Sequence, residues 1–258
     1  MKVILSAKPR KNPFIPVEAE TIIPARFLEP ADTLTVAVGN RTRPLTDVFD
    51  MAIEGTATDA AGVEVVLRGD TSRVKRVGEY MEAGKIRVEG DIGMHCGNFM
   101  KGGEIEILGS ADGWLGREMR GGRILCHGNA SHYCGSGYRG EKHGMRGGVL
   151  EVKGHAGDFT AEYLAGGDVI IHGNCGDMPG VEMKGGSLTI AGSCSRPCGN
   201  MTGGTCTILG RVTGMLPTFR RTGTVTREPG GVILTRFEGD VANRGKGTLF
   251  IRDWQYTL

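Results

Sequence analysis

The sequence predicts an all-β protein: a parallel β-helix solenoid of about seven regular 19-residue coils with irregular N- and C-terminal caps. Three observations carry that expectation. Glycine is concentrated, since of 44 glycines in 258 residues five lie in 1–83, thirty-two in 84–210 and seven in 211–258. Within the rich section, Gly84, Gly103, Gly122, Gly148, Gly167, Gly186 and Gly204 follow at intervals of 19, 19, 26, 19, 19 and 18, and each is answered six residues later by another glycine, from Gly90 to Gly210. Between the two glycines the second and fourth residues are apolar: Ile86/Val88, Ile105/Ile107, Ile124/Cys126, Leu150/Val152, Val169/Ile171, Leu188/Ile190 and Cys206/Ile208. The residues between them are mostly polar, which is the period-two pattern of a strand with one buried face.

The elements follow in chain order. Residues 1–83 read as an extended N-terminal arm and irregular first coils. Five prolines (Pro9, Pro13, Pro16, Pro24, Pro30) mark the arm, and 33–38 and 63–67 are strand-like. Residues 84–214 are the regular Gly-rich coils. A 19-residue unit is too short for a helical solenoid, which needs roughly 33 residues or more, and the leucine-rich consensus is absent. Collagen would need glycine at every third residue. Stacked at about 4.8 Å per coil, seven coils make a rod roughly 35 Å long. Residues 215–258 lose the phase and read as a C-terminal cap or docking segment, with strands expected near 230–234 and 248–251. Met100-Lys101-Gly102, Met119-Arg120-Gly121, Met145-Arg146-Gly147 and Met183-Lys184-Gly185 recur before the anchors. Methionine suits an irregular core corner, while the cations lie outside, as a solvated face or a basic stripe.

Composition excludes several classes. With 31 Lys+Arg against 29 Asp+Glu, the net charge of +2 gives no nucleic-acid footprint. No apolar run approaches the roughly 20 residues of a membrane span, and the N-terminal apolar stretch is too short for a signal peptide, so a cytoplasmic location is expected. Seven cysteines, an odd number without Cys-x-x-Cys, read as reduced and partly buried thiols rather than disulfides or a metal site.

The 26-residue interval holds an insertion near 131–144. Gly135-Ser-Gly-Tyr-Arg-Gly140 matches G-x-G-x-x-G formally, but the dinucleotide fingerprint needs a helix after it, and Gly-rich coil sequence follows. His132, Tyr133, Tyr138, Arg139, Lys142 and His143 make the loop basic and aromatic, and Tyr138, Arg139, Lys142 and His143 are therefore the candidate contact for a partner or an acidic ligand; a decorative loop is the alternative. No catalytic residue and no metal ligand is assigned. Asp91, Asp112, Asp158 and Asp177 fall near corners, where carboxylates serve local hydrogen bonds. A free-standing β-helix hydrolase or lyase acting through them stays open.

The Met-Lys-Gly-Gly coils, the Gly-Ser-Gly-Tyr-Arg-Gly insertion leading into Gly144-Met-Arg-Gly-Gly148, and Asp177-Met-Pro-Gly180 together resemble the C subunit of formylmethanofuran dehydrogenase. That family includes the C subunit of the bacterial formyltransferase/hydrolase complex. The resemblance covers nearly the whole chain, although the repeat alone is shared with the β-helix of glutamate synthase, a further alternative. It implies a scaffold role with no active site and no bound cofactor of its own. The implied partners are an amidohydrolase-like A subunit, a dehydrogenase-like B subunit and a formyltransferase D subunit. The complex would use tetrahydromethanopterin and a methanofuran-type carrier, moving a formyl group between them and releasing formate. The arginine content, with alanine and proline near the N-terminus, inclines the reading to the bacterial complex. The C subunit of a tungsten or molybdenum formylmethanofuran dehydrogenase is the alternative. The acidic glutamyl tails of such carriers could also meet Arg139, Lys142 and His143.

Overall fold

A computed structural model describes residues 1–30, 33–138, 140–227 and 230–256. The chain is all-β, and the described residues hold one α-helical turn, α1 (Leu45–Val48), and a few short 3-10 segments. Strands in the first third are β1 (Lys2–Ala7), β2 (Val17–Glu18), β3 (Thr35–Val38), β4 (Arg41–Pro44), β5 (Phe49–Glu54), β6 (Glu64–Arg68) and β7 (Val74–Lys75). The repeats supply β8 (Lys85–Val88), β9 (Glu104–Ile107), β10 (Arg123–Cys126), β11 (Arg146–Val152), β12 (Gly166–Ile171), β13 (Ser187–Ile190), β14 (Cys194–Ser195) and β15 (Thr205–Met215). The last three are β16 (Arg220–Arg227), β17 (Val232–Gly239) and β18 (Gly247–Tyr256).

Fourteen strands form one mixed sheet in the order β16-β17-β18-β15-β13-β12-β11-β10-β9-β8-β6-β1-β5, with β14 beside β15. From β6 to β15 every neighbour on this path is parallel, and equivalent repeat positions pair: Ile86 with Ile105, Ile105 with Ile124, Ile124 with Leu150, and so on to Leu188 with Cys206. All fourteen apolar repeat positions, from Ile86 to Ile208, are fully buried. Their in-phase stacking makes the core.

Anchor glycines are required where units touch. Gly122 has φ +81, and a Cβ there would stand 2.7 Å from the Gly103 carbonyl oxygen and 2.7 Å from the Met100 methyl. The left-handed backbone and the close approach both exclude a side chain. Met100, Met119, Met145 and Met183 are fully buried, with the Met100, Met119 and Met183 methyls against the anchor glycines one unit further on, Gly122, Gly148 and Gly204.

Residues 1–83 contribute more to the sheet than an arm would. β1 lies between β6, parallel, and β5, antiparallel, with Val3 and Leu5 fully buried. Residues 35–38, expected in a first coil, belong instead to a separate four-stranded sheet, β4-β3-β2-β7, with antiparallel pairing on both sides of β3. β6 keeps the repeat register, with Val65 opposite Ile86 and Leu67 opposite Val88. At the other end β18 runs parallel to β15, and the β16–β17 hairpin completes the sheet. Among the described residues, no helix is long and apolar enough to cross a membrane.

Candidate functional site

Each repeat leaves its strand through a second corner before the next anchor, and there the backbone turns left-handed at residues other than glycine. One column is Arg76, His95, Trp114, Tyr133, Phe159, Met178 and Arg196, with φ between 48° and 67°. A second column four residues on holds Tyr80, Phe99, Glu118, Tyr163, Glu182 and Asn200, with φ between 52° and 61°. An L-residue in this conformation costs roughly 1 kcal/mol. The cost is offset because each N–H is bonded to a carbonyl of the next unit: His95 to Gly113, Trp114 to His132, Tyr133 to Asp158 and Phe159 to Asp177, at 2.9–3.0 Å.

The turn projects these side chains outward in register. Tyr80 stacks on Phe99 with ring centroids 4.8 Å apart, Trp114 on Tyr133 at 4.9 Å and Tyr133 on Phe159 at 5.2 Å, each pair within 6° of parallel. These spacings are close to the inter-strand distance of about 4.8 Å, so the repeat itself sets the stack. His95 extends the row, 5.2 Å from Trp114.

The insertion folds back onto this aromatic ladder. Tyr138 is exposed, yet its ring lies 5.7 Å from Trp114 and 6.4 Å from His95. The Arg117 guanidinium sits between the Phe99 ring at 4.5 Å and the Tyr138 ring at 4.9 Å, a cation clamped between two π faces. A small cavity of about 220 Å³ opens among Trp114, Tyr133, Gly137, Tyr138 and Glu162. Burial, with Arg117 nearby, pushes the His95 imidazole down to about 4, so it is neutral at pH 7. Burial also raises the Glu118 carboxyl, and Arg117, 3.9 Å away, opposes that rise.

The four candidate residues do not converge on one point. Tyr138 joins the ladder. Lys142 is exposed and offers its backbone carbonyl to the Lys184 ammonium. His143 is half-buried, with Nδ1 shielded and unpartnered among the described residues. Arg139 lies outside the described residues. Sequence reasoning missed His95, Trp114, Phe159 and Arg117, and placed Tyr133 only in the loop. The signal was present, because His95, Trp114, Tyr133 and Phe159 share one phase at intervals of 19, 19 and 26.

The corner polar residues build the stack. Asp91 Oδ1 accepts from the Ser110 N–H (2.7 Å), Ser110 Oγ from Asn129, Asn129 Oδ1 from His155, His155 Nδ1 from Asn174 and Asn174 Oδ1 from Ser193. A parallel set runs from His132 to the Asp158 N–H and from Asp158 Oδ1 to the Asp177 N–H. Asp177 is ion-paired with Arg196, which holds its carboxyl below the usual range. These groups already have backbone or ionic partners. Among the described residues no three His, Cys, Asp or Glu side chains converge as metal ligands. All seven cysteines are buried and free. Burial raises the Cys126 thiol to about 11 and Cys175 to about 12, and it raises Cys96, Cys134 and Cys194 as well. Cys206, held by a hydrogen bond with Cys198 and by burial, rises in the same way.

No protein-family model matches the chain. The C subunit of the molybdenum-containing formylmethanofuran dehydrogenase 1 of Methanosarcina barkeri is 40% identical over 91 residues, covering 34% of this chain and 30% of that protein. The C subunit of the tungsten-containing formylmethanofuran dehydrogenase 2 of Methanothermobacter thermautotrophicus is 38% identical over 93 residues, covering 34% of each. The matches therefore span about a third of the curated relatives' length. A solved chain of the formyltransferase/hydrolase complex (FhcABCD) from Methylorubrum extorquens, crystallised with methylofuran, superposes with a TM-score of 0.83 at 29% identity, over 96% of this chain and 98% of that one. Over about a third of its length the chain is similar to formylmethanofuran dehydrogenase C subunits, and over nearly all of it to a chain of the formyltransferase/hydrolase complex.

Proposed function

We propose that this chain is a non-catalytic scaffold subunit of a formyltransferase/hydrolase complex, in which a formyl group passes from tetrahydromethanopterin to a methanofuran-type carrier and is released as formate. The observation that carries the reading is the end-to-end likeness to a chain of such a complex, at a TM-score of 0.83. We further read the stacked units as a parallel β-helix, with first coils in 1–83, regular coils in 84–214 and a cap in 215–258. The in-register parallel pairs from β6 to β15, the second row of parallel bridges (Ile92–Ala111–Ala130–Ala156–Cys175) and the two left-handed columns support that reading.

A stack of this kind is nearly one-dimensional and offers long, flat, rigid faces. Its contribution is positional. Catalytic subunits fixed along it keep their active sites at set separations while a carrier-bound formyl group passes between them. The partners are an amidohydrolase-like A, a dehydrogenase-like B and a formyltransferase D subunit, which hold the carriers. The aromatic ladder, closed over by Tyr138, is the docking face this chain offers, because stacked rings with an arginine are the composition of protein interfaces.

A second reading has its own support in the sequence matches to molybdenum and tungsten dehydrogenases. One experiment separates the two. The tagged protein is purified from its native host, its stoichiometric partners are identified by mass spectrometry, and tungsten and molybdenum are measured in the same sample. Formyltransferase and amidohydrolase-like partners without either metal support the hydrolase complex. Metal with an iron–sulfur partner supports the dehydrogenase. A partnerless chain refutes the scaffold role.

A further inference from the structure

The large sheet ends in an edge that nothing among the described residues covers. β16 is its outermost strand, paired on one side only, with β17, and all eight of its residues are exposed. On its open side an antiparallel strand presents alternate N–H and C=O groups without partners. The strand holds no proline, so it can accept a ladder along its length.

The edge is also charged. Residues 211–258 carry eight Lys+Arg against four Asp+Glu, whereas the rest of the chain carries 23 against 25. Within β16, Arg220 is paired with Glu238 at 3.2 Å, Arg221 lies 6.0 Å from the Trp254 ring, and Arg227 has no ionic partner among the described residues. A groove of about 230 Å³ on the face of the sheet runs inward from β16, lined by Val225, Thr226, Arg227, Leu234, Phe250 and Thr207. Backbone groups, a basic rim and an apolar slot are the three elements of strand addition, where the main chain gives affinity and the slot gives selectivity.

We propose that β16 receives an acidic, extended segment of a partner subunit as an added strand, with one apolar side chain of that segment packed beside the exposed Val225 at the outer end of the groove. This rests on the scaffold reading. A second copy fits poorly. Two β16 strands side by side would gather six arginines on one ribbon, and like charges across a strand pair repel. The acidic edge at the far end, β5, has Asp50 already held by Lys8 at 3.2 Å, and a β5-to-β16 contact would run head to tail without closing.

The test uses the intact complex purified from its host, with a benzophenone amino acid placed at Thr224 and the cross-linked peptide identified by mass spectrometry. The expected product joins Thr224 to an acidic segment of a partner subunit. The yield is expected to fall about tenfold when Arg221→Glu and Arg227→Glu are combined, and to be kept in the Arg221→Lys, Arg227→Lys pair. The lysine pair also guards against misfolding, since it must retain the same partners. A complex with all partners but no cross-link, a cross-link to another copy or to a non-acidic segment, or a yield indifferent to charge reversal overturns the proposal and leaves the scaffold reading standing. A chain that purifies without partners overturns both.

Discussion

Replacing Gly122 by alanine tests whether the repeat depends on close approach between units or only on the left-handed backbone. Gly122 has φ +81, and an added Cβ meets the Gly103 carbonyl oxygen at 2.7 Å, the Met100 methyl at 2.7 Å and the Gly102 carbonyl carbon at 2.9 Å. Two of the three are backbone atoms, which can retreat only if the units part. The backbone conformation contributes about 1 kcal/mol and the overpacking about 2 kcal/mol, so Gly122→Ala is expected to cost about 3 kcal/mol. For a chain of this size that lowers the melting midpoint by about 6–12 °C. Two controls separate the contributions. Gly55 has φ +71 with nothing within 4 Å, so Gly55→Ala carries the backbone cost alone, about 1 kcal/mol. Gly223 has neither feature, so Gly223→Ala stays within about 0.5 kcal/mol of the parent. Thermal unfolding followed by far-ultraviolet circular dichroism reads all three. If Gly122→Ala melts no lower than Gly55→Ala, the contact argument is wrong and conformation alone explains the anchor glycines.

Three further outcomes are expected. Asn129→Ala removes the acceptor for the His155 N–H (2.8 Å) and should cost about 1 kcal/mol in urea unfolding, while Asn129→Asp keeps the acceptor and most of the stability. Because burial holds folded His95 at about 4 against 6.5 when unfolded, the unfolded chain binds the extra proton between those values; its contribution to stability is complete above about 6.5 and declines as the pH falls towards 4. An NMR titration in which His95 protonates near 6.5 would contradict that. None of the seven cysteines should be alkylated at pH 8 in the folded protein, and all seven should react together on unfolding, as counted by intact mass; rapid labelling of any one would contradict its burial.

The strands of the regular section were legible because glycine marks each one and the alternation is strict. Ile105 and Ile107, or Leu188 and Ile190, could be assigned to the buried face from sequence alone, and they are fully buried. β6 was legible as the strand-like stretch 63–67 but lies off the glycine ruler: Val63 stands where an anchor glycine would, and the step to the next unit is 21 residues rather than 19. β1 lies further out of reach, since it pairs with β6 across some sixty residues that include three of the four strands of the second sheet, and no local period records a non-local pairing. The aromatic ladder was readable in principle. His95, Trp114 and Tyr133 recur at 19, but they sit outside the apolar strand positions, at corners where left-handed backbone normally signals glycine. What sequence could not supply is that such corners turn side chains outward into a continuous stack.

The insertion then has a physical explanation that composition alone did not give. Seven extra residues between β10 and β11 leave the parallel register intact, with Arg123 opposite Val149 and Cys126 opposite Val152. A stack whose units contact only their neighbours can absorb such an excursion wherever the loop leaves at a corner and returns to it. Gly137 and Gly144 close the base of the loop: the Gly137 N–H bonds the Glu162 carbonyl and the Gly144 N–H bonds the Tyr163 carbonyl, so both ends are tied to the following unit. What lies between is free to differ from the repeat, and Tyr138 uses that freedom to cover the one stretch where His95, Trp114 and Arg117 come together. The regular units thus provide a surface with a fixed spacing, 4.9 Å from Trp114 to Tyr133, and the irregular loop distinguishes one place on it. A docking face needs both, because a strictly periodic surface would offer every partner several equivalent registers, and the loop removes that degeneracy.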